Sequence, residues 1–207
     1  MDPLILSRTL KLVEEIYDES MYGDPDIYRI KDLVHSVDEN HWKSKQWLAD
    51  ILKNVYTYPG GKIVVLGGWY GMIAYQLRKR FPDESFHIIS NDIDPKCEQF
   101  GYKLFYDNNI EFTTGDMFKS NIEDASVVVT TSVEHIDRDD LIDMLNRKDK
   151  NTWMVLQSNN FHDHPTHINT SDSKAEFVEY LAPHLKEIAF AGTMGNRGFD
   201  RYMVIGR

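Results

Sequence analysis

The sequence predicts an α/β fold: a doubly wound, mostly parallel seven-stranded sheet with a C-terminal antiparallel hairpin and an N-terminal helical cap. Three observations predict it. The stretch KIVVLGGWYGMIAYQLRKRFPDESFHIISNDIDP, residues 62–95, passes from a β-branched run through a glycine turn and a helical pattern to a second apolar run. Short apolar runs then alternate with helical patterns as far as residue 185, the alternation that gives parallel strands with helices on both faces. Two final strand-like runs are joined only by Met194-Gly195-Asn196-Arg197-Gly198, short enough for an antiparallel pair. The chain divides accordingly into a cap over 1–58 and an α/β domain over 59–207.

Taken in order, residues 3–17 read as a helix with Leu4, Leu10, Val13 and Ile16 as its apolar stripe. Gly23-Asp24-Pro25 signals a turn. Residues 30–37 form a short helix, and 41–56 a third that buries Trp42, Trp47, Leu48, Ile51, Leu52 and Val55. Tyr17, Tyr22, Tyr28 and Trp42 either line a substrate pocket or pack in the core, the commoner use of aromatic side chains. Residues 63–66 have the unbroken apolar character of a strand buried on both faces. Gly67, Gly68 and Gly71 follow, where the chain turns sharply and a ligand can approach the backbone. Ile73, Leu77 and Phe81 stack along the next helix, and Arg78-Lys79-Arg80 reads as its solvated basic end. Further strands are expected at 86–90, 110–113, 126–131 and 152–157, with helices at 96–106, 137–148 and 174–185. The closing pair spans 187–193 and 199–205.

Of 207 residues, 33 are Asp or Glu and 23 are Lys or Arg, a net charge of −10. Such a chain is repelled by a phosphate backbone, so nucleic acid is not an expected partner. Cys97 is the only cysteine. An intrachain disulfide is therefore excluded, and with no activating base nearby the thiol reads as structural rather than nucleophilic. The opening MDPLILSRTL has neither a basic region nor a long apolar segment, and no run is long enough to span a bilayer. A cytoplasmic protein without membrane attachment is expected.

Ligands of open parallel sheets bind beyond the carboxyl ends of the strands. That rule gathers residues 67–71, Asp92, Asp116, 131–135 and 158–160 at one edge. The glycine turn offers backbone N–H groups and a helix N-terminus to a ligand. Asp92 stands 21 residues after Gly71, close to the roughly 20-residue spacing of a carboxylate that binds ribose hydroxyls. A ligand containing a nucleoside is indicated.

In their order and spacing, four segments resemble those of the class I S-adenosylmethionine-dependent methyltransferases, over residues 60–207. VLGGWYG is similar to that family's glycine-rich loop and SNDIDP to its second-strand segment. TTGDMF resembles the segment that holds the adenine, and VVVTTSVEHI the fourth-strand segment leading to the substrate. The resemblance implies a Rossmann-like domain that binds S-adenosylmethionine through Gly67, Gly68, Trp69, Gly71, Asp92, Ile93, Asp116, Met117 and Thr131. It implies that Asp92 takes both ribose hydroxyls, Asp116 the exocyclic amine and Met117 the face of the adenine. Two positions depart from the pattern. Val65 stands where the family usually carries an acid, which removes a polar contact near the methionine end, and Trp69 replaces the middle glycine, which puts bulk where the backbone comes close to the cofactor. GGWYG, TSVEHI and SNNF together also resemble a methyltransferase-like group of large tailed phages, for which the expected compartment is the host cytoplasm.

When a methyl group is already activated on a sulfonium, alignment of the acceptor supplies much of the rate, and a base is needed only where the acceptor must lose a proton. Glu134 and His135 leave the fourth strand at the ligand edge and are the candidate catalytic pair. The carboxylate would orient an amine or guanidine and the imidazole take its proton. The competing reading is that Ser132 and Glu134 cap the following helix. Asn159 and Asn160 either hydrogen-bond the acceptor or serve a turn. His162, Asp163, His164 and His167 could bind a transition metal. As one short loop without a partner cluster fixed elsewhere, they read instead as a solvent-facing loop or a lid, and no metal is assigned. Asp137, Asp139 and Asp140 suit the first turn of a helix. The sequence thus reads as a methyltransferase acting on a small molecule or a protein side chain. It carries no Asn-Pro-Pro-Tyr-type segment after the fourth strand, the pattern that exocyclic-amine nucleic-acid methyltransferases resemble. The alternatives are another transfer or cleavage of the same cofactor, a nucleoside-binding module without chemistry, and a nicotinamide-dependent oxidoreductase. The last is least favoured, because the glycines do not fit G-x-G-x-x-G.

Overall fold

The β-branched run at residues 63–66 is buried throughout and forms an interior strand. The computed structural model describes residues 2–19 and 26–207, so Tyr22 and the Gly23-Asp24-Pro25 turn lie outside the described residues. Three helices come first: α1 (Pro3–Glu19), α2 (Ile27–Ser36) and α3 (Glu39–Val55). Then follow β1 (Gly61–Leu66), α4 (Met72–Arg80), β2 (Phe86–Asp92), α5 (Pro95–Phe105), β3 (Glu111–Thr114) and β4 (Val127–Thr130). The chain ends with α6 (Arg138–Arg147), β5 (Trp153–Asn159), α7 (Lys174–Leu181), β6 (Ile188–Gly195) and β7 (Asp200–Gly206). No described helix is long and apolar enough to cross a membrane.

The seven strands lie in the order β3-β2-β1-β4-β5-β7-β6. β1 to β5 pair in parallel, and β7 runs antiparallel to both β5 and β6. This is the doubly wound sheet with a terminal hairpin that the sequence predicts. The order reverses between β1 and β4, where a crevice opens at the carboxyl ends.

Alternation along the strands feeds two cores. Ile63, Val65, Ile88, Val127, Val129 and Val155 belong to the core shared with α1 to α5. Val64, Leu66, Val128, Met154, Leu156 and Val204 belong to the one shared with α6 and α7. Ile5, Leu12, Leu33, Leu48 and Leu52 of the first three helices bury in the same core as α4 and α5.

Several local expectations are corrected. In α1 the buried stripe is Ile5, Thr9, Leu12 and Ile16, while Leu4 and Leu10 are exposed. Thr9 completes the stripe because its hydroxyl donates to the Ile5 carbonyl at 2.8 Å, so a polar residue sits where the sequence suggests a gap. Arg78 is not a solvated helix end. It is buried, and its guanidinium donates to the carbonyls of Phe81, Asp83, Phe86 and Asn109, tying together the loops around β2. The helix expected over 174–185 stops at Leu181, and a short 3₁₀ turn over Ala182–His184 holds Pro183, which has no N–H to continue the ladder.

The glycine turn is fixed by packing as well as by dihedral angle. Gly71 precedes α4 with φ 87°, and a Cβ there would lie 2.4 Å from Phe112. Gly101 of α5 approaches the same ring as closely from elsewhere. Phe112 of β3 therefore packs against the entry of α4 and the middle of α5, and holds the loop before Gly71 at the edge of the sheet.

Candidate active site

Leaving β1, Gly67 (φ 63°) and Trp69 (φ 51°) both take left-handed backbone conformations. For a non-glycine residue this costs roughly 1–2 kcal/mol, and four contacts hold it. The Trp69 N–H donates to Asp92 Oδ2 at 2.8 Å, and the indole Nε1 donates to Asp32 Oδ2 at 3.0 Å. The ring stacks on Tyr70 with centroids 5.6 Å apart and meets His41 edge-on at 5.5 Å. The Tyr70 hydroxyl also donates to Asp32 Oδ2, at 2.6 Å, and accepts from Arg29, which pairs with Asp94 at 2.6 Å. The loop thus keeps a glycine's conformation at position 69, with the indole anchored to α2 as part of a cavity wall.

That cavity has a volume of about 550 Å³ and lies beyond the carboxyl ends of β1, β4 and β5. Of the residues singled out from the sequence, Gly67, Gly68, Trp69, Asp92, Thr131, Glu134, His135 and Asn159 all line it. Asp92 is half-buried at the tip of β2. Besides Trp69 it accepts the Asp94 N–H at 3.1 Å, and each carboxylate oxygen keeps room for a further donor.

Gly71, Ile93, Asp116, Met117 and Asn160 are not among the lining residues. Gly71 shapes the turn from behind, and Ile93 is exposed. Asp116 accepts the Phe118 N–H at 2.9 Å and pairs with Lys119 at 3.4 Å. Met117 lies beside Gly67, where a Cβ would stand 3.5 Å from the Met117 Cε, so this segment continues the edge past the glycine loop. Asn160 serves the turn: its Oδ1 accepts the Asp200 N–H at 2.7 Å and its N–H donates to the Asp200 carbonyl.

Glu134 sits in a 3₁₀ turn (Val133–His135) after β4 and is buried. Asp137, not Glu134, caps α6, through the Asp139 N–H. Glu134 Oε1 instead accepts from Asn159 Nδ2 at 2.7 Å and lies 3.6 Å from Arg201 Nη2, whose Nη1 donates to the Thr131 carbonyl at 3.0 Å. Glu134 Oε2 is buried without a hydrogen-bond partner.

Four residues of α3, Asn40, His41, Ser44 and Lys45, also line the cavity and were not singled out from the sequence. Lys45 is 6% exposed, has no hydrogen-bonding partner among the described residues, and has its ammonium position 5.9 Å from the Trp69 ring. Burial, and then repulsion from Arg201, pushes its pKa down to about 7. His41 is pushed down to about 4 by burial and the nearby Lys45, although its Nδ1 stands 3.0 Å from Asp38. A signal for Lys45 exists in the sequence, since it falls three residues after Trp42 and three before Leu48, on the stripe that α3 buries. Arg201, at the start of β7, has no such mark. Three of the aromatic residues proposed for a pocket lie elsewhere: Tyr17 and Tyr28 are exposed, and Trp42 is in the core against Tyr75. Cys97 is buried, and burial pushes its thiol pKa up, as a structural cysteine requires.

The fold is that of the S-adenosylmethionine-dependent methyltransferases. The mitomycin 7-O-methyltransferase MmcR matches with a TM-score of 0.62 at 16% identity, over 97% of this chain and 67% of that one. Magnesium protoporphyrin IX methyltransferase (ChlM) from Synechocystis PCC 6803, with bound SAH, matches with a TM-score of 0.63 at 16% identity, over 94% and 92%. Geranyl diphosphate methyltransferase in complex with GPP and sinefungin gives 0.61 at 12%, over 79% and 76%. No protein-family model matches the chain, and a comparison with curated protein sequences finds no match.

Proposed function

We propose that the chain binds S-adenosylmethionine at this edge of the sheet and transfers its methyl group to a small molecule or a protein side chain. One observation carries the reading: the Gly67–Trp69 turn and the Asp92 carboxylate, joined by a 2.8 Å hydrogen bond, open on the same cavity as Lys45, Glu134 and Asn159. The residues present fit the cofactor. Gly67 meets only the end of the Met117 side chain, which leaves its backbone approachable, and Asp92 has unused acceptor capacity for ribose hydroxyls. Asp116 and Met117 take the adenine end, with Ile93 beside it and Gly71 holding the turn.

When bound, the cofactor supplies a methyl group already activated on its sulfonium. The chain then has to align an acceptor and hold its proton. Glu134 and Asn159, joined at 2.7 Å, orient the acceptor, and His135 borders it. Lys45, its pKa lowered by burial to about 7, gives up its proton more readily than an ordinary lysine and takes the acceptor's proton. Residues 1–58 act as a cap that brings Lys45 and His41 over the 59–207 domain. The solved structures of similar fold include methyltransferases named for mitomycin, magnesium protoporphyrin IX and geranyl diphosphate. They support a small-molecule acceptor ahead of a protein side chain, and the net charge of −10 argues against nucleic acid.

Product analysis tests the reading. Incubation with methyl-labelled S-adenosylmethionine and a small-molecule extract is expected to release S-adenosylhomocysteine and label an acceptor in equal amount. Other sulfur products would mean cofactor cleavage. Bound but unconverted cofactor would mean a nucleoside-binding protein.

A further inference from the structure

We propose that Glu134, His135 and His167 form a binding site for a divalent transition-metal ion, open to the cavity. The sequence leaves the histidine loop without a partner cluster, and the fold supplies one. One carboxylate oxygen of Glu134 and one ring nitrogen from each of His135 and His167 lie within 4.8 Å of one another. Small rotations of the two imidazoles close such a set to metal–ligand bonds of roughly 2.0–2.2 Å.

Backbone bonds bring the set together. The Glu134 carbonyl accepts the N–H groups of Ile168 and Asn169, at 2.8 and 3.1 Å, which fastens the end of the loop to the turn after β4. The rings are also oriented. His135 Nδ1 faces the Thr166 carbonyl at 3.1 Å, and His167 Nδ1 faces the Phe161 carbonyl at 2.5 Å. A carbonyl only accepts, so the neutral His167 ring carries its proton on Nδ1 and leaves the Nε2 lone pair for a ligand, while His135 Nδ1 is held by both the carbonyl and the hydroxyl of Thr166, the latter at 3.0 Å. This is the support that metal-binding histidines receive from neighbouring carbonyls.

The independent observation is Glu134 itself. It is 3% exposed. Asn159 and Arg201 both approach Oε1, and Oε2 is buried with no partner. A buried carboxylate oxygen without a donor is costly, and a cation would satisfy it. Two imidazoles and one carboxylate suit zinc, manganese or ferrous iron better than calcium or magnesium. A second group, His35, Asp38 and His41, has the same composition but is otherwise explained. Asp38 caps α3, and its carboxylate oxygens already pair with both imidazoles.

The test uses full-length, tag-free protein stripped by chelator. It is titrated with Zn²⁺ by calorimetry and with Co²⁺ by visible absorption, which reports ligand geometry directly. One ion per chain is expected. Glu134→Gln and His167→Ala should each weaken binding by more than the roughly 10–100-fold that loss of a supporting hydrogen bond produces, and His35→Ala should leave it unchanged. Circular dichroism confirms the fold of each variant, and His167→Ala, in an exposed loop, keeps the test open should Glu134→Gln fail to fold. Absence of one-to-one binding would overturn the site, as would binding indifferent to His167→Ala or lost with His35→Ala. Metal binding by a protein that ignores S-adenosylhomocysteine would leave this site standing and remove the cofactor reading instead.

Discussion

Asp92→Ala is expected to weaken S-adenosylmethionine binding by roughly 1.5–3 kcal/mol, about 10- to 150-fold, the range for hydrogen bonds made to a charged group. The carboxylate serves two purposes. In the proposed site it accepts the ribose hydroxyls, and it already receives the N–H groups of Trp69 and Asp94. Without it the left-handed Trp69 loses the bond that fixes its backbone, so the loop relaxes as the ribose contact is lost. Asp92→Asn keeps one acceptor oxygen and should fall between the parent and the alanine variant. Calorimetry on variants shown folded by circular dichroism makes the measurement. Unchanged affinity in Asp92→Ala would remove the residue from the site.

Lys45→Met is expected to lower turnover by roughly 10²–10⁴-fold, the usual effect of losing a positioned base, while cofactor affinity stays within a few-fold. The acceptor found by labelling is the substrate for this assay. In the parent protein the rate should rise with pH through about 7, as Lys45 loses its proton. In Lys45→Met that limb should vanish. Lys45→Arg, which keeps the charge but cannot deprotonate, should be as inactive as the methionine variant. Lys45→Met should gain stability while it loses turnover. The folded pKa of about 7 lies below the ordinary value of 10.5, so between those values the unfolded chain binds more protons and stability rises with pH. The penalty for burying the charged lysine is therefore full below about pH 7 and fades toward the ordinary lysine value. Removing it should stabilise the protein by roughly 1–4 kcal/mol on the acidic side, measured by denaturant unfolding. A variant with parental turnover and pH profile would exclude Lys45 as the base.

The parts of the fold that were legible from sequence are those with local signals. The β-branched run at 63–66, the glycine turn, Asp92 at the tip of β2 and the short 194–198 connection each announce themselves within a few residues, and strand alternation then sets the sheet. What was not legible depends on residues distant in sequence. Arg78 reads as a surface charge until the carbonyls of Phe86 and Asn109 are brought to it. Lys45 falls on the buried stripe of α3, but what it faces is visible only once Arg201 of β7 and Trp69 of the glycine loop are brought to it. His167 gains its partners only because β4 and the loop after β5 end side by side, 32 residues apart in the case of His135. Trp69 shows the converse. The sequence marks it as a departure from a glycine loop, yet the backbone there keeps the left-handed angle a glycine would take, because Asp92 and Asp32 hold both ends of the residue.

Calorimetric titration of the unmodified protein with S-adenosylmethionine, and separately with S-adenosylhomocysteine, tests the central claim most directly. Saturable one-to-one binding of both ligands is the expected result, and it would direct the next work to the acceptor. A folded protein that binds neither would contradict the claim, and would mean that Val65 and Trp69 mark a glycine loop that no longer holds this cofactor.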